Sequence, residues 1–176
     1  MATVDFQEEV MSLAAEKVAT RLVEAVETAK AVQGRTLVLA GPKGAAKAKV
    51  EGAHIQLPEL IMVLELGLHV WLHGPAGTGK TTAARHAADA LSLPFYAISF
   101  CSATPLSSLV GYMNAAGEYV STCYRKAYET GGIFLADEID AANLNILAVL
   151  NMGLDAPVMA FPDGMVKRHP DFLCVG

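Results

Sequence analysis

One run of eight residues has the composition and spacing of a loop that binds phosphate. Residues 74–81 read Gly-Pro-Ala-Gly-Thr-Gly-Lys-Thr and satisfy the pattern G-x-x-x-x-G-K-[ST] at every fixed position. The glycines allow the backbone to curl until successive N–H groups point into one cavity, where they can bind the α- and β-phosphates of a nucleotide. The predicted phosphate-binding residues are Gly74, Pro75, Ala76, Gly77, Thr78, Gly79, Lys80, Thr81 and Thr82.

Two side chains at the end of this loop have predicted roles of their own. Lys80 supplies a positive charge to the β- and γ-phosphates, and the Thr81 hydroxyl is placed to ligate Mg²⁺. Thr81 also opens a segment rich in helix-forming residues, so the positive end of a helix would face the anion. A short apolar run, residues 70–72, precedes the loop. Strand, loop and helix therefore follow in the order that phosphate binding requires.

A second group of residues with catalytic chemistry lies far along the chain. The apolar residues 133–136 run directly into Asp137 and Glu138, which places two acids at the carboxyl end of a buried strand, where ligands bind in open α/β sheets. We predict that Asp137 holds Mg²⁺ through water, because Mg²⁺ keeps much of its hydration shell. Glu138 is predicted to orient and deprotonate the attacking water. The alternative for an isolated Asp-Glu pair is a solvated acidic turn.

The elements needed to position these groups can be predicted from hydrophobic periodicity and turn residues. We expect a three-layer αβα P-loop NTPase core with a parallel sheet and inserted β-hairpins, preceded by an N-terminal amphipathic helix. Residues 1–50 would form the N-terminal helix and a strand or linker region, and residues 51–176 the ATPase core. We predict strands at residues 36–40, 70–72, 95–100, 133–136 and 172–175. We predict helices at residues 6–31, 60–64, 81–91, 121–130 (with Ser121 as the cap) and 144–155. We predict hairpins at residues 111–120 and 158–168, and a basic turn or hairpin loop at residues 41–47.

Composition limits the classes of function. The 176 residues are 53% hydrophobic and carry a net charge of −5, which argues against a general nucleic-acid-binding surface. The longest apolar run, residues 60–72, is interrupted by polar residues and is too short to span a membrane, and the N-terminus has no secretory signal pattern. Three cysteines without metal-type spacing favour buried free thiols in a reducing compartment. We therefore expect a cytoplasmic protein.

The loop Gly74–Thr81 together with residues 133–138 resembles the Walker A and Walker B motifs of AAA+ ATPases. Residues 131–142 and the two predicted hairpins narrow the resemblance to the branch of MoxR-like, cobaltochelatase-subunit and dynein-related (midasin-type) ATPases, which includes phage-encoded relatives. The resemblance covers about residues 55–176. It implies ATP and Mg²⁺ as ligands, Glu138 and Lys80 as catalytic residues, a homo-oligomeric ring, and remodelling of a protein or metal-chelatase partner.

The resemblance also implies parts that this sequence does not contain. A sensor residue, a fifth strand, an arginine finger and a helical lid would all follow Gly176, and Arg125 and Arg168 come too early to serve as the finger. We therefore expect an incomplete core that binds ATP but turns it over slowly. Residues 70–72 would then lie at an edge of the sheet, unless residues 36–40 cover it.

The same sequence is compatible with other functions. A nucleotide-gated binding module without catalysis, or a P-loop small-molecule kinase, would also use the phosphate loop. His69 and His73 could form a metal pair, although no third ligand is evident. Lys167, Arg168 and His169 could contact nucleic acid or a substrate chain, or form a solvated hairpin tip, and Tyr112 and Tyr119 could line a pore.

Overall fold

The computed structural model of the chain describes residues 36–39, 48–51 and 53–176. The predicted N-terminal helix, residues 6–31, and the basic segment 41–47 lie outside the described residues. Strand β1 (Thr36–Leu39) pairs antiparallel with β2 (Ala48–Glu51) in a sheet of their own. The described part of β1 therefore pairs with β2 and is not hydrogen-bonded into the main sheet as a strand beside residues 70–72.

The remaining elements follow one another in nearly the predicted order. They are α1 (Leu57–Glu65), α2 (Lys80–Leu91), β3 (Phe95–Ser99), α3 (Ser107–Val110), β4 (Tyr112–Met113), β5 (Tyr119–Val120), α4 (Cys123–Thr130), β6 (Gly132–Asp137), a 3₁₀ turn (Ile139–Ala141), α5 (Leu144–Asp155), β7 (Val158–Phe161), β8 (Gly164–Lys167) and β9 (Phe172–Val175).

The main sheet is parallel, with the strand order β3-β6-β9. Residues 70–72 lie along the free side of β9 through a single parallel bridge between Val70 and Val175. The Val70 N–H donates to the Cys174 carbonyl at 2.9 Å, and the Leu72 N–H donates to the Gly176 carbonyl at 2.6 Å. The segment that leads into the phosphate loop is therefore the edge of this sheet in the described part of the chain.

Side chains of β6 and β9 alternate between two cores, as the period of two in a strand requires. On one face, Ile133 and Leu135 pack with α1 and α2. On the other face, Phe134 packs with α4, α5 and the β7–β8 hairpin. Helices thus cover both faces of a buried parallel sheet. The predicted α/β fold, with its three αβα layers and inserted hairpins, is confirmed.

The β4–β5 hairpin is inserted between two helices, as predicted, but the cap of the following helix differs from the prediction. Thr122, not Ser121, is the N-cap of α4, because its backbone is extended and its hydroxyl accepts the Arg125 N–H. The Thr122 hydroxyl also donates to the Leu109 carbonyl at 2.6 Å. This second contact fixes α4 against the end of α3.

Arg125 joins both hairpins to α4. Its side chain is only 9% exposed and forms ion pairs with Glu129 at 3.1 Å and Asp163 at 2.7 Å. Its guanidinium also lies over the rings of Tyr119 and Phe161, at 5.3 and 4.6 Å from their centroids. One cation therefore holds together β5, α4 and the turn between β7 and β8.

The basic cluster 167–169 does not form the hairpin tip that the sequence suggested. The tip lies at Pro162 and Asp163, whereas Lys167 ends β8 and the next two residues turn back to the core. The Arg168 guanidinium donates to the carbonyl of Leu154 at the end of α5, and the His169 N–H donates to the Tyr128 carbonyl at 2.8 Å. Arg168 and His169 thus anchor the base of the hairpin.

The prediction that the cysteines are buried is right only for Cys174. Cys174 lies in β9, where burial raises the pKa of its thiol to about 12. Cys123 is half-buried, and Cys101 is exposed just after β3, where a hydrogen bond with the Thr104 side chain lowers the pKa of its thiol. Among the helices of the described residues, none is long and apolar enough to cross a membrane.

Candidate functional site

The phosphate loop connects the edge segment 70–72 to the first turn of α2. Gly77 and Gly79 have φ values of 79° and 88°, in the left-handed region that favours glycine. Gly79 is the N-cap of α2, and its carbonyl accepts the Ala83 N–H at 2.8 Å. The Thr78 hydroxyl donates to the Pro75 carbonyl at 3.0 Å and closes the loop on itself. The backbone thus has the curl that the glycine spacing predicted.

Lys80 is the first residue of α2, and its side chain turns back over the loop. Its Nζ donates to the Gly74 carbonyl at 2.8 Å and to the Pro75 carbonyl at 3.1 Å. An ammonium group has three donors and no acceptor, so phosphate oxygens can bind the same group in place of these carbonyls. The charge of Lys80 is therefore held at the phosphate loop.

Thr81 and Asp137 come together from opposite parts of the sequence. The Thr81 hydroxyl, in the first turn of α2, donates to Asp137 Oδ2 at 3.1 Å. Asp137 ends β6, where it lies opposite Ser99 of β3, and its carbonyl accepts the Phe100 N–H at 2.9 Å. The carboxyl end of the central strand thus meets the amino end of the helix, as expected for a ligand site in a parallel α/β sheet.

These two side chains are suited to Mg²⁺. A hydroxyl and a carboxylate are hard oxygen ligands, and Mg²⁺ characteristically binds one or two protein oxygens together with water and substrate phosphates. Within residues 53–176 no group of three or more His, Cys, Asp or Glu side chains is close enough to hold a metal. If Mg²⁺ binds, Thr81 and Asp137 would hold it, and it would neutralise charge on the phosphates.

Glu138 has an unusual backbone that the sequence did not predict. Its φ of 52° and ψ of 37° lie in the left-handed region, which only Ser92 shares among the described residues other than glycine. Such a conformation is costly and is concentrated at functional sites. The exposed side chain of Glu138 lines a cavity of about 250 Å³ together with Lys80, Asp137 and His73. The backbone turn therefore directs the chain so that Glu138 borders the same space as the loop.

The suggested histidine metal pair has no support in the described residues. His69 Nδ1 accepts the Cys174 N–H at 3.1 Å, and its ring packs edge-on against Phe172. Burial, and then the charge of Arg168, lower the pKa of His69 below its usual 6.5. His73 is exposed at the start of the phosphate loop. His69 therefore supports the edge segment 70–72 against β9.

A second, larger cavity beside the loop could not be predicted from the sequence. It measures about 580 Å³ and lies between α1, the edge segment and the phosphate loop. Its lining includes Thr78 and Lys80 of the loop, Trp71, which is 60% exposed, and the polar side chains of His54 and Glu59. No local pattern in the sequence marks these last residues, because α1 approaches the loop only through tertiary packing.

The arginines of the site region are engaged in contacts within the chain. Arg125 and Arg168 make the ion pairs and carbonyl contacts described above, and Arg85 of α2 lies over the Phe95 ring at 4.9 Å. Tyr119 donates its hydroxyl to the Val110 carbonyl at 2.7 Å, whereas Tyr112 is 52% exposed. Of the two tyrosines suggested to line a pore, only Tyr112 is free of such a contact in the described part.

Two solved structures have a similar fold. A candidate ATPase from Cytophaga hutchinsonii superposes with a TM-score of 0.56 and 18% identity, covering 96% of this chain and 46% of that protein. NtrX from Brucella abortus superposes with a TM-score of 0.56 and 19% identity, covering 95% of this chain and 37% of NtrX. At sequence identities this low, the similarity shows a shared fold and nothing about function.

Two relatives share sequence with parts of the chain. The uncharacterized protein YojN of Bacillus subtilis (strain 168) is 33% identical in an alignment of 104 positions, which covers 55% of this chain and 34% of YojN. The cell division control protein 48 homolog C of Arabidopsis thaliana is 41% identical over 73 residues, which are 41% of this chain and 8% of that protein. The chain thus spans about a third of YojN and less than a tenth of the plant protein.

A family model matches the part of the chain that contains the site and two strands of the main sheet, β3 and β6. The model describes the AAA domain of the dynein-related subfamily and matches residues 69–172, more than half of the chain. This range contains the phosphate loop, the contact between Thr81 and Asp137, and both inserted hairpins. The chain therefore belongs to the AAA domain family, in its dynein-related subfamily.

Proposed function

We propose that the chain binds ATP with Mg²⁺ and hydrolyses it. The observation that carries this proposal is the contact between Thr81 and Asp137, together with the position of Lys80, which lines the same cavity as Asp137. A cation for the phosphates, two oxygen ligands for Mg²⁺ and a carboxylate facing the same space are the parts that P-loop hydrolysis requires. Membership of the AAA domain family supports nucleotide binding independently.

Each residue would contribute one step of the reaction. The N–H groups of residues 76–80 and the Lys80 ammonium bind the phosphates and hold the γ-phosphoryl group in position. The Glu138 carboxylate accepts a proton from a water molecule, whose oxygen forms a bond to the γ-phosphorus. The bond from that phosphorus to the β-γ bridging oxygen breaks, and ADP leaves with the electron pair. Phosphate is released as the second product.

Assembly and partners are part of the proposal. We propose that the chain assembles into a homo-oligomeric ring that remodels a protein or metal-chelatase partner, as the resemblance to MoxR-like and cobaltochelatase-subunit ATPases implies. Cross-linking and analytical ultracentrifugation, with and without Mg²⁺-ATP, would test the ring. A single monomeric species under every condition would contradict it.

Binding is tested by substituting Lys80. Because Lys80 is the side-chain cation placed at the loop, Lys80→Ala should abolish calorimetrically detectable binding of Mg²⁺-ATP. Lys126→Ala, at an exposed site on α4, is the matched control and should bind as the parent does. Unchanged affinity in Lys80→Ala would refute the assignment of the loop as the ATP site.

The two alternatives to hydrolysis are separated by turnover. A nucleotide-gated binding module would bind ATP without releasing phosphate at any protein concentration. A small-molecule kinase would consume ATP only when an acceptor is added. Phosphate release that needs water alone favours hydrolysis, and the placement of Glu138 beside the loop favours the same outcome.

A further inference from the structure

The hydrogen bond that joins the start of the edge segment 70–72 to β9 has a side-chain acceptor. Val70 forms a parallel bridge to β9 and donates its N–H to the Cys174 carbonyl at 2.9 Å. A regular parallel ladder would continue with the Cys174 N–H donating to the backbone carbonyl of residue 68. In this chain the same N–H donates to His69 Nδ1 at 3.1 Å. An imidazole nitrogen therefore takes the place of a backbone acceptor.

This acceptor is lost on protonation, whereas a backbone carbonyl is not. In the neutral ring of His69, Nδ1 accepts the hydrogen bond and the proton lies on Nε2. Protonation makes Nδ1 a donor that faces the N–H of Cys174, so an attractive contact becomes a repulsive one. The N–H of the buried Cys174 would then lose its acceptor, which is costly for a buried polar group. The hydrogen bond therefore exists in one charge state of His69.

The groups that face His69 favour its neutral state. From β9 these groups are the Phe172 ring and the Cys174 N–H. The end of α5 contributes the Leu154 carbonyl, and the chain after β8 contributes the Arg168 guanidinium. Burial first, and then the charge of Arg168, lower the pKa of His69, whereas the Leu154 carbonyl acts in the opposite direction. The Cys174 thiol adds no charge near neutral pH, because burial raises its pKa to about 12.

The segment that His69 holds leads directly into the phosphate loop. Val70 follows His69, and the loop begins at Gly74. The Gly74 carbonyl accepts from the Lys80 ammonium at 2.8 Å, so a shift of the segment reaches the group that we assign to phosphate binding. We propose that His69 positions the phosphate loop and makes nucleotide binding sensitive to pH, because the neutral ring holds the segment against β9 and protonation releases it. This inference rests on the proposed function, since it assumes that the nucleotide occupies the loop.

Release of the segment can be followed without nucleotide. Trp71 is the single tryptophan of the chain, lies within the segment and is 60% exposed. Its fluorescence should change between pH 7.5 and pH 5.5 in the parent and change much less in His69→Asn, whose amide oxygen can accept from Cys174 but does not titrate. His169→Asn is the matched control and should behave as the parent does, because His169 Nδ1 accepts the Asp171 N–H at 3.1 Å away from this segment. Equal changes in the parent and His69→Asn would overturn the release.

The effect on binding is measured by calorimetry with Mg²⁺-ATP at pH 7.5 and pH 5.5. Between these values the affinity of the parent should fall about two- to fivefold more than that of His69→Asn, because tight binding requires the neutral ring. The comparison removes the titration of the nucleotide and of His54 and His73, which line the cavities beside the loop and are unchanged in the variant. His169→Asn should again follow the parent. The same pH dependence in the parent and His69→Asn would overturn the coupling.

The coupling must also appear in reverse, and this measurement needs no variant. Linkage requires that bound Mg²⁺-ATP lower the pKa of His69, which nuclear magnetic resonance of its imidazole would measure. A direct attraction between a protonated His69 and the phosphates would raise that pKa, so an unchanged or raised pKa would overturn the inference. If Mg²⁺-ATP bound at neither pH, the proposed function and the effect on binding would both fall, whereas the Trp71 titration decides separately whether the segment is released.

Discussion

The Thr81 hydroxyl hydrogen-bonds the Asp137 carboxylate at 3.1 Å, although 56 positions separate the two residues in the sequence. The contact exists because α2 begins and β6 ends at the same edge of the sheet. It holds together the two side chains that we propose as ligands of Mg²⁺. A substitution at either residue should therefore alter the Mg²⁺ dependence of nucleotide binding before it alters other properties.

Asp137→Asn should therefore weaken the dependence of ATP binding on Mg²⁺. The amide keeps an oxygen that can accept from Thr81, but it loses the negative charge that attracts the cation. Calorimetric titrations of ATP across a series of Mg²⁺ concentrations would measure the change. Asp89→Asn, on the exposed side of α2, is the control. An Mg²⁺ dependence identical to that of the parent would argue against Asp137 as a metal ligand.

Glu138→Gln should retain nucleotide binding and lower turnover by roughly 10²- to 10⁴-fold in any form of the protein that is active. Glutamine keeps the shape and can hydrogen-bond the water, but it cannot take the proton. Phosphate release and ATP affinity should be measured on the same preparations. Asp140→Asn, which changes another acid of the same cavity, should have a smaller effect on turnover. Parent-like hydrolysis by Glu138→Gln would remove this residue from the catalytic role.

Arg125→Gln should destabilise the fold without weakening ATP binding. The substitution leaves Asp163 and Glu129 without their cation and removes the contacts with two aromatic rings. We expect a loss of about 2–3 kcal/mol in the free energy of unfolding, at the low end for a buried pair because both acids are partly exposed. Denaturant titration measures this loss.

The control for Arg125 is Arg85→Gln, at an exposed residue that contacts one ring only. It should cost less than about 1 kcal/mol. If Arg125→Gln instead removed turnover while leaving stability intact, Arg125 would be acting on the nucleotide as a finger. The expectation that the finger lies elsewhere would then be wrong.

Stability should fall in mild acid because of His69. Burial lowers the pKa of His69 in the folded state below its usual 6.5, so the unfolded chain binds more protons in that interval and stability rises with pH. This contribution is complete above about pH 6.5 and is lost as the pH falls toward the folded-state pKa. Protonation at Nδ1 would also break the hydrogen bond from the Cys174 N–H.

The measurement is the denaturant midpoint at pH 7.5 and pH 5.5 for the parent and for His69→Asn. The asparagine oxygen can accept from Cys174 but does not titrate, so the variant should lose less stability between the two values. The same substitution at the exposed His73 is the control and should leave the parent slope unchanged. Equal slopes for all three proteins would show that His69 does not couple pH to stability.

Much of the fold could be predicted because its signals are local. The alternation of Ile133 and Phe134 between the two cores follows from the period of a strand, and Asp163-Gly164 marks a hairpin by turn chemistry alone. The phosphate loop was predictable for the same reason, because each glycine allows a positive φ at its own position.

What could not be predicted depends on partners distant in the sequence. Glu59 becomes part of a cavity only when α1 packs beside the loop, and Cys101 is exposed only because the chain leaves the sheet there. The choice of Thr122 over Ser121 as the helix cap depends on the Leu109 carbonyl, thirteen residues away. The left-handed backbone of Glu138 has no signature in residue type, because glutamate rarely adopts it. The division at residue 50 and the proposed ring remain predictions.

The phosphate loop is anchored unequally on its two sides. After it comes α2, a helix of twelve residues, whereas before it residues 70–72 are joined to β9 by one bridge and a few backbone hydrogen bonds. Local unfolding should therefore begin where residues 70–72 contact β9, before the central strands of the sheet unfold. A triphosphate bound to the loop should stabilise the closed state of the adjoining segment. Amide hydrogen exchange in residues 70–72 should therefore be slower when the triphosphate is bound. The amide exchange rate of residues 70–72 would thus report whether a nucleotide is bound.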